Sequence, residues 1–161
     1  MIPTIARGAA LAISLIALAG CSSGSPSTFN LGNASVDQSY TCPVGASNAH
    51  YDVHGTIDAN NPTSQPVLIS TVDATFTLAS VKGGWLEKVG DKYVPSQVTF
   101  TPATVGAGAS TTIAVTIPSA CTGRSASATV ASGDYAVSFK ITTTAGTFKL
   151  DSKDRHRITT A

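Results

Sequence analysis

Apolar and polar residues alternate with a period of two along most of the chain beyond residue 48. In "HYDVHGTID", Tyr51, Val53 and Ile57 are apolar, set against His50, Asp52, His54, Thr56 and Asp58. "STVDATFTLA" sets Val72, Ala74, Phe76 and Leu78 against Thr71, Asp73, Thr75 and Thr77. The pattern returns at Val98 and Phe100, at Ile113, Val115 and Ile117, at Tyr135, Val137, Phe139 and Ile141, and at Phe148 and Leu150. Successive side chains of a strand point to opposite faces, so each stretch reads as a strand with one face on a core and one in water. Turn-forming clusters separate the stretches: "NNPTSQP" (Asn60 to Pro66), "KGG" (Lys82 to Gly84), "VGD" (Val89 to Asp91), "GAGAS" (Gly106 to Ser110), "ASGD" (Ala131 to Asp134) and "TAG" (Thr144 to Gly146). Seven or eight short strands, with turns about every 8–12 residues, predict an all-β chain folded as a single two-sheet antiparallel sandwich. Its core should hold Tyr51, Val53, Ile57, Val72, Phe76, Leu78, Phe100, Ile113, Val115, Tyr135, Val137, Phe139 and Ile141.

The first residues follow a different pattern. Arg7 supplies a positive charge, Ala9 to Ala19 form a short apolar run, and Ala19 and Gly20 are small. This is the layout of a secretion signal, and the run is short of the ~20 apolar residues a membrane-spanning helix needs. "LAGC", Leu18 to Cys21, resembles the lipobox of bacterial lipoproteins. That resemblance implies cleavage before Cys21, a diacylglycerol on its thiol and an acylated new amino terminus, hence a lipid-anchored protein outside the cytoplasm. Ser22 in the next position favours the outer membrane in a host with two membranes. Residues 22–36, "SSGSPSTFNLGNASV", have the composition of a flexible linker. The expected organisation is therefore a signal at 1–20, a lipidated cysteine and linker at 21–37, and one β-domain at 38–161. With Cys21 lipidated, Cys42 and Cys121 remain, and an even pair in an exported protein reads as a disulfide.

"GDYAVSFKI", Gly133 to Ile141, is similar to the start of the penultimate strand in immunoglobulin-like and fibronectin type III domains. "TPATVGAGASTTIAVTIP", Thr101 to Pro118, resembles the turn and following strand of bacterial immunoglobulin-like modules. The resemblance implies that Tyr135 forms a corner, its hydroxyl bonding back to the backbone. Val137 stands where an immunoglobulin domain has its second core cysteine, so the architecture is expected and the immunoglobulin family is not.

Charge narrows the partners. The whole chain has 10 Lys and Arg against 9 Asp and Glu, and loss of Arg7 with the signal leaves a formal balance of zero. A neutral chain lacks the basic patch that nucleic acid or an anionic surface demands. No G-x-S-x-G stretch marks a nucleophile, and Glu87 is the sole glutamate, so neither acyl transfer nor paired-carboxylate chemistry can be assembled.

Two segments retain chemical interest. His50, Asp52 and His54 share one strand face, a ligand set suited to zinc or copper. An ideal strand separates the two histidines by roughly 13 Å, so one ion would need a bulge or the help of His156. The other reading is a solvated polar face. "KGGWLEKVGDKYV", Lys82 to Val94, combines charge with aromatics and reads as a hairpin turning at Val89 to Asp91, with Trp85 across from Tyr93. An exposed Trp/Tyr pair is a common sugar or protein contact; alternatively both rings cap the open end of the sandwich. The expected function is a lipid-anchored cell-envelope binding or structural module without catalysis or cofactor. Its partner would be an envelope protein or polysaccharide. The alternative is a metal-binding lipoprotein using His50, Asp52 and His54.

Overall fold

The computed structural model describes residues 28–123 and 130–160, and these contain ten strands and no helix. In chain order they are β1 (Asn30–Val36), β2 (Ser39–Cys42), β3 (Ala49–Asn61), β4 (Val67–Lys82), β5 (Lys92–Tyr93), β6 (Thr99–Thr101), β7 (Thr104–Val105), β8 (Ala109–Cys121), β9 (Ala131–Thr143) and β10 (Gly146–Thr160). One sheet has the order β1-β3-β8-β6; the other has the order β2-β10-β9-β4-β5, with β7 also paired to β4. All pairings are antiparallel except that of β2 with β10. In immunoglobulin notation the first sheet is A-B-E-D, and the second carries C, F and G with a further edge strand beside C. The fold is an immunoglobulin-like β-sandwich.

The alternation in the sequence becomes the inner faces of the two sheets. Val53, Ile57, Val72, Phe76, Leu78, Ile113, Val115, Tyr135, Val137, Phe139 and Ile141 are buried in one cluster. Tyr51 and Phe100 are half-buried and pack against it. A one-residue slip in β3 or β9 would turn its whole apolar set to water, so the core itself fixes the pairing register.

The structure departs from the sequence expectation at several strands. The linker expected over 21–37 is strand from Asn30 to Val36, with Phe29, Ala34 and Val36 buried. A shift of pairing register between Gly32 and Ser35, with Asn33 at φ 47°, interrupts the period there. The turn expected at Ala131 to Asp134 is the first part of β9, and the strand expected at Val98 and Phe100 begins at Thr99, which leaves Val98 outside it. The last strand runs past Leu150 to Thr160, with a second register shift between Asp151 and Arg155. The shift adds two residues to β10 and so keeps its phase: His156, Ile158 and Thr160 lie on the same inward side as Phe148 and Leu150, within a charged segment. The extra strands bring the total to ten against the seven or eight expected.

Cys42 and Cys121 form a disulfide, Cα to Cα 5.9 Å. They end β2 and β8, strands of different sheets, so the bond ties the two layers together at one end. The sequence separation of 79 residues makes the closed loop long. Replacing both cysteines by alanine should lower unfolding stability by about 4 kcal/mol in the chain-entropy account. Urea unfolding under non-reducing conditions measures this, and a loss below about 1 kcal/mol would contradict it.

Candidate functional site

Beyond Lys82 the chain cannot continue β4. Gly83 takes a positive φ of 73° and the segment folds back toward the sheet. Its return is fixed by backbone bonds: Gly90 N–H donates to Leu78 O at 2.8 Å, and Leu78 N–H donates to Asp91 O at 2.9 Å. The Asp91 carboxylate accepts the Lys88 N–H at 2.8 Å, closing the turn. β5 then places Tyr93 beside Phe76, ring centroids 6.2 Å apart, with the Tyr93 hydroxyl donating to Pro118 O at 3.4 Å.

Trp85 lies over Gly133 of β9. A Cβ at Gly133 would meet the indole Cε2 at 2.6 Å and Nε1 at 2.7 Å. Glycine inside a strand weakens it, and here its use is the close approach of the ring. The indole Nε1–H is shared between Glu87 Oε2 at 2.9 Å and the Tyr135 hydroxyl oxygen at 3.1 Å. The Tyr135 hydroxyl donates to the same Glu87 oxygen. Burial and the adjacent carboxylate together push the Tyr135 phenol well above its ordinary range, so it remains a donor. The corner expected of Tyr135 is therefore corrected. Its hydroxyl partners are the Glu87 and Trp85 side chains, brought to it by the loop after β4.

These groups border a cavity of about 320 Å³. Trp85, Tyr93, Tyr135 and Phe76 line it, Leu86 and Glu87 sit at its loop side, and Cys121 lies opposite. Among the described residues, Glu87 is the only ionisable acid or base in the lining apart from the tyrosines. Trp85 and Tyr93 do not face each other across a hairpin; they are separate walls of one cleft. Trp85 is half-buried, which settles the two expectations midway: it is neither a free surface ring nor a member of the closed core.

The metal alternative finds a different geometry. His50, Asp52 and His54 do lie on the outer face of β3. His54 Nδ1 sits 3.2 Å from Asp37 Oδ2, which also accepts the His54 backbone N–H at 2.9 Å. His156 is buried on the inner side, 1% exposed, so it cannot complete a set with the outward histidines. Its Nδ1 lies 2.7 Å from the Asp37 carbonyl oxygen, which can only accept, so Nδ1 carries the proton and Nε2 accepts from the Tyr51 hydroxyl at 3.1 Å. No group of three His, Cys, Asp or Glu among the described residues is placed to hold one metal ion. Cys21, the expected lipidation site, lies outside the described residues.

The chain matches no protein-family model and no curated protein. Among solved structures it is similar to the ASH / PapD-like domain of human CEP192 (PapD-like domain 7), at 16% identity and a TM-score of 0.36, over 93% of this chain and 96% of that one.

Two outcomes follow from this geometry. Gly133→Ala should expel the indole at a cost of about 1–3 kcal/mol, typical of overpacking, while unfolding stays cooperative. The emission of the single tryptophan should move to the red, and unchanged emission would show that the ring does not rest on Gly133. The second concerns His156, which burial holds below its ordinary 6.5. Below pH 6.5 the unfolded chain takes up a proton that the folded chain refuses, so stability should fall as the pH drops. The slope should reach at most about 1.4 kcal/mol per pH unit until folded His156 itself protonates. His156→Gln should remove this slope, and a slope that survives would assign it elsewhere.

Proposed function

We propose that this chain is a non-catalytic binding module of a bacterial cell envelope, tethered through a lipid on Cys21, whose ligand enters the cleft between the β4–β5 loop and the end of β8. The observation that carries the reading is the cleft itself. It gathers three polar-edged aromatic rings on a rigid sandwich end, and Leu86 stands 77% exposed at its rim. Rings of this kind bury much area on binding and lose little entropy. The ionisable groups of the cleft are tied to one another: Glu87 holds Tyr135 and Trp85, and Tyr135 keeps its proton. That arrangement favours holding a ligand over moving a proton.

Position supports the same reading. Asn30 pairs with Asn60 at one end of β3, whereas Asn48 and Cys121, which line the cleft, lie at the other. The 13 residues of β3 separate the two ends by about 40 Å. Phe29, which is buried, lies eight residues beyond Cys21, a reach of at most roughly 28 Å. A lipid on Cys21 therefore holds the β1 end toward the bilayer and turns the cleft outward.

Cys21→Ala should abolish lipid labelling and release the protein from the membrane fraction; membrane retention with unchanged labelling would contradict the tether. A photo-cross-linker at Leu86 should form adducts in intact cells. The same group at Leu68, 49% exposed at the other end of β4, should not. Trp85→Ala should cost about 1–2 kcal/mol, less than the 3–5 kcal/mol of a fully buried ring, and should abolish the Leu86 adduct. Equal adducts from both positions would contradict the cleft as the working surface.

A further inference from the structure

We propose that the cleft receives a methylated ammonium group, with Glu87 as its counter-charge and Trp85, Tyr93 and Tyr135 as its walls. The inference rests on the cleft being the binding surface, and it names the ligand chemistry.

Charge is the first ground. Among the described residues no lysine, arginine or histidine lines the cavity, and the one carboxylate there belongs to Glu87. The lysines of the same segment, Lys82, Lys88 and Lys92, are exposed and are not among the lining residues. The described lining is thus negative in net charge within a nearly neutral molecule. Aromatic rings carry negative faces, and several of them beside a carboxylate form the usual environment for an organic cation.

The second ground is the state of the other polar groups. Most of them are already satisfied by the protein. The Thr160 hydroxyl donates to Ala131 O at 3.3 Å, and the Thr122 hydroxyl accepts the Asn48 N–H at 3.3 Å. The Tyr93 hydroxyl donates to Pro118 O, and the Tyr135 hydroxyl to Glu87. Glu87 Oε2 already takes two donors. A sugar needs several unspent donors and acceptors around its ring. A primary ammonium needs up to three acceptors. A methylated ammonium needs neither, because it is recognised by charge and by contact of its methyl groups with ring faces. The structure offers those two features and few others.

Size and placement agree. A volume of about 320 Å³ is at the lower end of small-ligand sites, enough for a trimethylammonium group with a short apolar body. The cleft lies at the end remote from residue 28, so the group would arrive on a soluble molecule or a partner and not from the bilayer that holds Cys21.

The full chain in detergent micelles free of ammonium headgroups, with its single tryptophan as reporter, tests the assignment. The probes are choline, its neutral isostere 3,3-dimethylbutan-1-ol, and chitotriose as a neutral sugar. Choline should change Trp85 emission saturably, and the isostere should bind at least tenfold more weakly. Glu87→Gln should weaken choline at least tenfold while unfolding stays cooperative. Tyr93→Leu, which removes a wall without touching Glu87, should weaken it several-fold. Equal binding of choline and the isostere would overturn the cation assignment and leave the cleft as a binding site. So would a response to chitotriose alone. Silence toward all three probes would overturn the cation assignment, and the Leu86 cross-link then decides separately whether the cleft is the working surface.

Discussion

Trp85 resting on Gly133 is the contact on which the rest of the site depends. A side chain at residue 133 would leave no space for the indole, and without the indole the loop after β4 would have no apolar anchor on the sheet. Glu87 then finds its two donors, the indole Nε1–H and the Tyr135 hydroxyl, because the loop is already down. Hydrogen bonds to an ionised carboxylate are stronger than neutral ones, and Glu87 accepts two of them although it stays exposed, so the loop position and the bond geometry reinforce each other. The cleft is the space left between this folded-back loop and the end of β8.

The sandwich makes such a site affordable. Two inner faces of alternating apolar residues supply the burial, and the Cys42–Cys121 bond closes the layers at the same end as the cleft. Cys121 itself borders the cavity, so the wall opposite Trp85 is covalently held to the other sheet. Rigid walls reduce the ordering cost that a ligand would otherwise meet. Among the buried polar groups, His156 links the Asp37 carbonyl to the Tyr51 hydroxyl and joins the chain between β1 and β2 to β3 and β10.

Much of this was legible along the chain. Strict alternation at Tyr51 to Ile57, Val72 to Leu78, Ile113 to Ile117 and Tyr135 to Ile141 marks core strands because burial on one face demands it. With Cys21 set aside as the expected lipidation site, Cys42 and Cys121 remain as the pair that the disulfide joins. Other parts left no periodic signal. β1 hides behind the register shift at Asn33, which moves its apolar positions out of phase, and the end of β10 keeps its phase but sets polar Ser152, Asp154 and His156 at the inward positions. Gly133, beside Ser132 and Asp134, has the composition of a turn, yet its glycine serves a ring 48 residues earlier in the chain. Trp85, Tyr93 and Glu87 stood out by composition; that they meet Tyr135 of β9 is a tertiary fact without a local pattern. One hint was available: the sole tryptophan and the sole glutamate lie two residues apart.

With one tryptophan, the protein gives one indole N–H resonance, and that resonance reports the central contact directly. In a ¹H–¹⁵N correlation spectrum of the folded protein it should lie away from the free-indole position and exchange slowly with solvent, because its proton is held between Glu87 and Tyr135. An indole resonance at the free position, exchanging at the rate of an exposed tryptophan, would contradict the account.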